Sequence, residues 1–128
     1  MRATRAMWAA CTRYIFTDIE NCMNRKDERR WLPEICKNMA ELRTYAAAGG
    51  HADKFAAILV EPGPNAADKR IIADVKATLK KGASDVLVLT KDKGIKQALW
   101  KLKVNKNLLS FASDASGVTN WLRRSKSK

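Results

Sequence analysis

The chain has 128 residues, 46% of them hydrophobic and 30% charged, with a formal net charge of +12. This length suits a single domain (1–128) with one sheet enclosed by helices, leaves no room for two such cores, and the apolar content excludes global disorder. The charge is lopsided, with 10 Lys+Arg against 8 Asp+Glu in residues 1–64 but 15 against 5 in residues 65–128. A basic half of this kind favours a polyanionic partner, because each neutralised phosphate releases counterions.

The first strand is expected at Tyr14-Ile15-Phe16-Thr17, closing at Asp18; β-branched and aromatic residues suit a pleated surface. Leu32, Ile35, Met39 and Leu42 recur at helical spacing, with Pro33 suited to a first turn and Gly49-Gly50 to a C-terminal stop. A second strand runs from about Phe55 to Val60 and is broken by Pro62-Gly63-Pro64. A helix follows from Asn65 or Ala66 to Lys81, with Ile72, Val75 and Leu79 on one face and Gly82 beyond its end. Val86-Leu87-Val88-Leu89 is an unbroken apolar run, the pattern of a strand covered on both faces. Ile95, Leu99 and Leu102 mark another helix, Leu108 to Phe111 a fourth strand, and Ala115 to Arg124 a last helix. The ends, 1–12 and 124–128, are expected to be flexible. The order β-α-β-α-β-α-β-α predicts a three-layer α/β/α fold with a mainly parallel central sheet of four to five strands.

In such sheets ligands bind beyond the carboxyl ends of the strands, at the topological switch point. Asp18 and Asp92 each follow a predicted strand and should meet at one sheet edge. Taken singly, each reads equally well as a turn or helix cap. Together, in a basic domain, two carboxylates repel unless a cation or a proton intervenes. Oxygen-only ligands favour Mg²⁺ or Mn²⁺ over zinc. Asp68 and Asp74 lie on the helix between them, six residues and so roughly 120° apart in direction. Both therefore cannot share one face; each also has a plain reading, Asp68 as a favourable charge at a helix start and Asp74 as a solvated polar position.

Phe16-Thr17-Asp18-Ile19-Glu20-Asn21, Asn65-Ala66-Ala67-Asp68 and Thr90-Lys91-Asp92-Lys93-Gly94-Ile95 occur in that order. They resemble the three motifs of the NYN/PIN-like ribonucleases: a strand ending in aspartate with asparagine three residues on, an Asn-Ala-x-Asp stretch opening a helix, and Ser/Thr-x-Asp after an apolar strand. The resemblance spans about Arg13 to Lys103. It implies a PIN-like, Rossmann-like fold and metal-dependent cleavage of RNA to a 5′-phosphate and a 3′-hydroxyl. Asp18, Asp68 and Asp92 would be the metal ligands, with Asp74 as substitute for Asp68, and Asn21 and Thr90 would be neutral partners. Lys69, Lys91, Lys93 and Lys96 would attract the strand without reading sequence. DNA is not excluded chemically. The chain departs from the pattern at Gly94, where many relatives carry a second acid; Asp114 is a further acid near the end of the sheet.

Other chemistries have less support. His51 is the only histidine, which disfavours Ser-His-Asp and Cys-His hydrolases, and no Gly-x-Gly-x-x-Gly or Walker A pattern occurs. Cys11, Cys22 and Cys36 are odd in number and form no C-x-x-C pair, so neither a disulfide framework nor a zinc site is expected and a reducing cytoplasm is the natural compartment. No apolar run approaches the roughly 18–20 residues that span a bilayer, and Met1 to Cys11 lacks a signal-peptide core. Trp31 and Trp121 read as core; Trp100, among Lys96, Lys101 and Lys103, reads as core or as a base-stacking surface. The rivals to a nuclease are a non-catalytic basic RNA-binding module and a toxin-like subunit controlled by a protein partner; a homo-oligomer is compatible with all three.

Overall fold

The computed structural model describes residues 13–18, 33, 34, 36, 39–48, 58–61, 66–82, 85–104 and 106–125. Five strands form one all-parallel sheet: β1 (Arg13–Asp18), β2 (Glu41–Ala47), β3 (Ile58–Val60), β4 (Asp85–Leu89) and β5 (Leu109–Ala112). Their spatial order is β3-β2-β1-β4-β5. The helices are α1 (Ala66–Lys80), α2 (Lys93–Trp100) and α3 (Ala115–Ser125). The chain builds outward from β1 to β3, then α1 returns it to β4 on the other side of β1. The switch point therefore lies between the carboxyl ends of β1 and β4.

Strand periodicity sorts the core into two halves. Phe16, Tyr45, Val86 and Val88 point to one face, where Ile71, Val75 and Leu79 of α1 and Ile95 and Leu99 of α2 cover them. Ile15, Ala46, Leu87 and Leu89 point to the other, where Cys36 and Val118, Trp121 and Leu122 of α3 pack. Each fully buried large apolar side chain contributes about 1.5–3 kcal/mol, and β4 supplies four buried residues in a row, as its unbroken apolar sequence predicted. Trp121 is core, as expected. Arg13, at the start of β1, lies over the Trp121 ring at 4.3 Å from its centroid, donates to the Trp121 carbonyl at 3.2 Å, and pairs with Asp85 at 3.8 Å. These contacts tie the last helix to the amino ends of the two central strands.

One expected element is different. Leu42 belongs to β2 and not to a helix running on to Gly49. Pro33, Glu34 and Cys36 are helical, but the amides of Met39 and Ala40 both donate to the Cys36 carbonyl, at 2.9 and 3.0 Å, and the strand begins at Glu41. Leu42 fits both periods, since it sits three residues past Met39 and two before Thr44. What decides is pairing: Tyr14 to Asp18 offers a parallel edge that takes up Glu41 to Tyr45 residue by residue. The sequence expectations for Trp31, Asn21, His51 and the motif residue Asn65 lie outside the described residues. Among the described residues, no helix is long and apolar enough to cross a membrane.

α3 packs closely on β5. A Cβ placed on Gly117 would meet the Ala112 Cβ at 2.8 Å, and Ala112 sits on a paired strand that cannot yield cheaply. Overpacking of this kind costs about 1–3 kcal/mol, against up to about 1 kcal/mol gained from the better helix former. Gly117→Ala is expected to lose about 1 kcal/mol net, read as a lower melting temperature; an unchanged or raised melting temperature would contradict this packing.

Candidate functional site

Three aspartates approach one another at the switch point. Asp18 ends β1 and is 8% exposed. Asp92 follows β4 as the N-cap of α2. Asp68 lies in the first turn of α1, the helix that crosses from β3 to β4 and so opens at the same sheet edge. The Asp68 carboxyl is pushed up to about 6, first by burial, then by a hydrogen bond with the Asp92 carboxyl, then by the negative charges of Asp92 and Asp18. Crowding of this kind disfavours the charged form of Asp68 and favours a proton or a cation at the pair.

Local geometry fixes Asp92 most firmly. Its Oδ1 accepts from the Gly94 amide at 2.7 Å, and its own amide donates to the Thr90 hydroxyl at 3.0 Å. Thr90 is itself buried, and its amide is held by the Ala112 carbonyl at 2.8 Å. Capping and convergence are therefore not alternatives for Asp92: one oxygen can cap while the other faces Asp68. A Cβ at Gly94 would approach the Asp92 Oδ1 to 3.1 Å. The position where relatives of the resembled family carry a second acid thus serves here to leave Asp92 undisturbed. On the β1 side, Thr17 donates to the Leu89 carbonyl at 3.0 Å and fastens the two strand ends together.

Asp68, Asp92, Lys69, Gly94, Ile72 and Ile95 line a groove of about 440 Å³. Ile72 and Ile95 were not singled out in the sequence as groove residues. The usable signal was spacing, since Ile72 stands one turn past Asp68 on the same helix face. Lys69, Lys91 and Lys93 are exposed around this edge, and Lys96 is half-buried further along α2.

Asp74 and Asp114 are engaged elsewhere. The Tyr45 hydroxyl donates to Asp74 at 2.6 Å and Arg70 pairs with it at 3.1 Å, one turn earlier on α1. Burial, and then this bond to a carboxylate, hold the Tyr45 hydroxyl far above the usual phenol range. Asp114 caps α3, accepting from the Gly117 amide at 3.0 Å. Of the two aspartates on α1, the one placed with Asp18 and Asp92 is Asp68.

The donor set is all oxygen, which suits Mg²⁺ or Mn²⁺. Among the described residues, no group of three or more acidic, histidine or cysteine side chains is placed to hold a cation. Mg²⁺ does not need one, because it keeps several waters and is commonly held by one or two carboxylates together with substrate phosphate. The Asp68–Asp92 pair fits that pattern, with Asp18 near enough for its charge to act on Asp68. Comparison with protein-family models, curated proteins and solved structures finds no match for this chain.

The raised Asp68 carboxyl has a thermodynamic sign. Folded, it keeps its proton up to about pH 6; unfolded, it loses it near roughly pH 3.9. The native state therefore binds more protons within this window, and stability falls as pH rises through it. Asp68→Asn removes the cost and can still donate a hydrogen bond to Asp92. In metal-free buffer the variant is expected to melt higher than wild type at pH 7.5, with the gap closing towards pH 4. An equal gap at both pH values would show that Asp68 is not crowded by its neighbours.

Proposed function

We propose that this protein is a metal-dependent ribonuclease whose acidic site comprises Asp18, Asp68 and Asp92. The observation that carries the reading is the Asp68–Asp92 carboxyl pair, held near Asp18 at the switch point of a parallel sheet in a chain of net charge +12. A protein that selects for stability alone does not gain from crowding carboxylates, since each must then be neutralised. The order and residue types of the three motifs, which resemble those of NYN/PIN-like ribonucleases, support the same reading.

Asp68, Asp92 and Asp18 would hold Mg²⁺ or Mn²⁺. Such a cation, when bound, polarises a phosphate and lowers the pKa of a coordinated water. The chain's own residues prepare the site. Thr90 and the Gly94 amide keep the Asp92 carboxylate oriented. Asp68, crowded by Asp92 and Asp18, would have its charge offset by such a cation. Lys69, at the groove, draws a phosphate towards the acids, and Lys91 and Lys93 offset the repulsion between the acids and an incoming strand. Asn21 is assigned from the motif alone.

Asp18→Asn keeps the shape of the side chain and removes its charge. With RNA and Mn²⁺, wild type is expected to cleave and the variant to lose cleavage, while both bind RNA comparably in EDTA. Equal cleavage by the two proteins would sink the assignment.

A second reading is a basic RNA-binding module without catalysis, favoured by the absence, among the described residues, of any group of three ligands placed to hold a cation. It predicts no cleavage under any metal. Both readings share an electrostatic mode of binding. RNA affinity should fall steeply between roughly 50 and 200 mM salt, and replacing Lys91, Lys93 and Lys96 together should weaken binding across sequences. A flat salt response would contradict both.

A further inference from the structure

We infer that the outer face of α2 is a stacking platform for single-stranded nucleic acid, with Trp100 as the base-contacting residue. This rests on the nucleic-acid reading above and names the form of polynucleotide that the site would take. Trp100 is 55% exposed, one of two large hydrophobic side chains left open to solvent among the described residues, the other being Leu59 on the edge strand. An indole half open to solvent leaves a broad apolar face available for contact. Trp100, Phe111, Lys96, Gln97 and Lys101 line an apolar depression of about 460 Å³. Its floor is aromatic: the Trp100 and Phe111 rings lie 6.3 Å apart, tilted by 56°. Its rim is cationic, and the Lys106 ammonium stands 5.8 Å from the Trp100 ring centroid.

That combination selects its occupant. A hydrophobic protein partner would not be matched by a lysine rim, and a simple polyanion would have no use for the aromatic floor. A single strand offers both a flat π-face for stacking and phosphates for the lysines. Duplex does not, because its bases are already stacked.

The placement on α2 joins this platform to the acidic site. Asp92, Lys96 and Trp100 are spaced i, i+4, i+8 and so form one row along the helix. At 1.5 Å per residue the row is about 12 Å long. That is the length of about three to four stacked nucleotides at roughly 3.4 Å each. A strand whose phosphate lies at the acids can thus follow the row and place a base on Trp100 a few nucleotides away.

The test measures binding by the full chain in EDTA, so that no cleavage intervenes. The probes are a short oligo(U) RNA, a blunt RNA duplex and linear polyphosphate. Trp100→Ala is expected to weaken oligo(U) binding by about 5- to 100-fold and to leave duplex and polyphosphate binding within about twofold. Trp100→Phe should retain most of the affinity, since it keeps a ring. Replacing Lys96, Lys101 and Lys106 together should weaken all three probes. Unchanged oligo(U) binding by Trp100→Ala overturns the inference, and so does an equal loss on all probes. If oligo(U) affinity is unchanged while Trp100→Ala dissociates a self-associated wild type, the occupant is a second copy and the inference is again overturned. Cleavage by wild type with Mn²⁺, assayed separately, distinguishes the two failures: Trp100-dependent binding without cleavage leaves the platform standing and removes the nuclease reading, and the converse removes only the platform.

Discussion

The arrangement depends on the parallel pairing of β1 with β4. These strands are far apart in sequence, yet Arg13 to Thr17 match Asp85 to Leu89 residue by residue. Register in a buried sheet is strict, because a slip of one residue would turn every side chain to the opposite face. Phe16 and Val88 would then exchange halves of the core with Ile15 and Leu87. The pairing is closed at its carboxyl end by the Thr17 hydroxyl on the Leu89 carbonyl and at its amino end by Arg13 with Asp85. With both ends fastened, the residues that follow the strands have little freedom of position. Asp18 and Thr90 are set by the register, and Asp92 by Thr90.

Electrostatics and packing pull in opposite directions at this edge. The sheet brings acidic side chains together in a partly buried place, where charge is expensive, and the rest of the chain is strongly basic. The lysines nearby are mostly exposed, so they contribute a diffuse field and not individual ion pairs. The result is a small negative site inside a positive surface. Such a pattern would suit the proposed reading, in which a cation sits among the acids and a polyanion is drawn to the lysines.

Much of this was legible in the sequence for a physical reason. The parallel architecture showed in the alternation of strand and helix signals and in the unbroken apolar run of β4, which suits a doubly covered strand. The placement of Asp18 and Asp92 was legible because each ends or follows a strand whose apolar sequence marks its end. β2 was not legible, because Leu42 satisfies helical and strand spacing alike and only the edge offered by β1 resolves the tie. The choice between Asp68 and Asp74 was also closed to sequence reasoning. Angular spacing says that they diverge but not which one faces the site; the partners Tyr45 and Arg70, from β2 and α1, make that visible for Asp74. Trp100 stayed ambiguous because the same helical spacing serves a core and a surface.

The double employment of Asp92 has an evolutionary consequence. It caps α2 with one oxygen while standing beside Asp68, so drift at this position is not free even in a lineage that makes no use of the acidic cluster. Asparagine preserves the cap at little cost, whereas alanine sacrifices about 0.5–2 kcal/mol. Asp68 is under the opposite pressure, since its charge burdens the fold and its loss relieves it. A descendant under selection for stability alone would therefore shed Asp68 early and keep Asp or Asn at position 92 for much longer. The acid on α1, and not the better-anchored one after β4, is the residue whose persistence among homologues would report continued selection on the site.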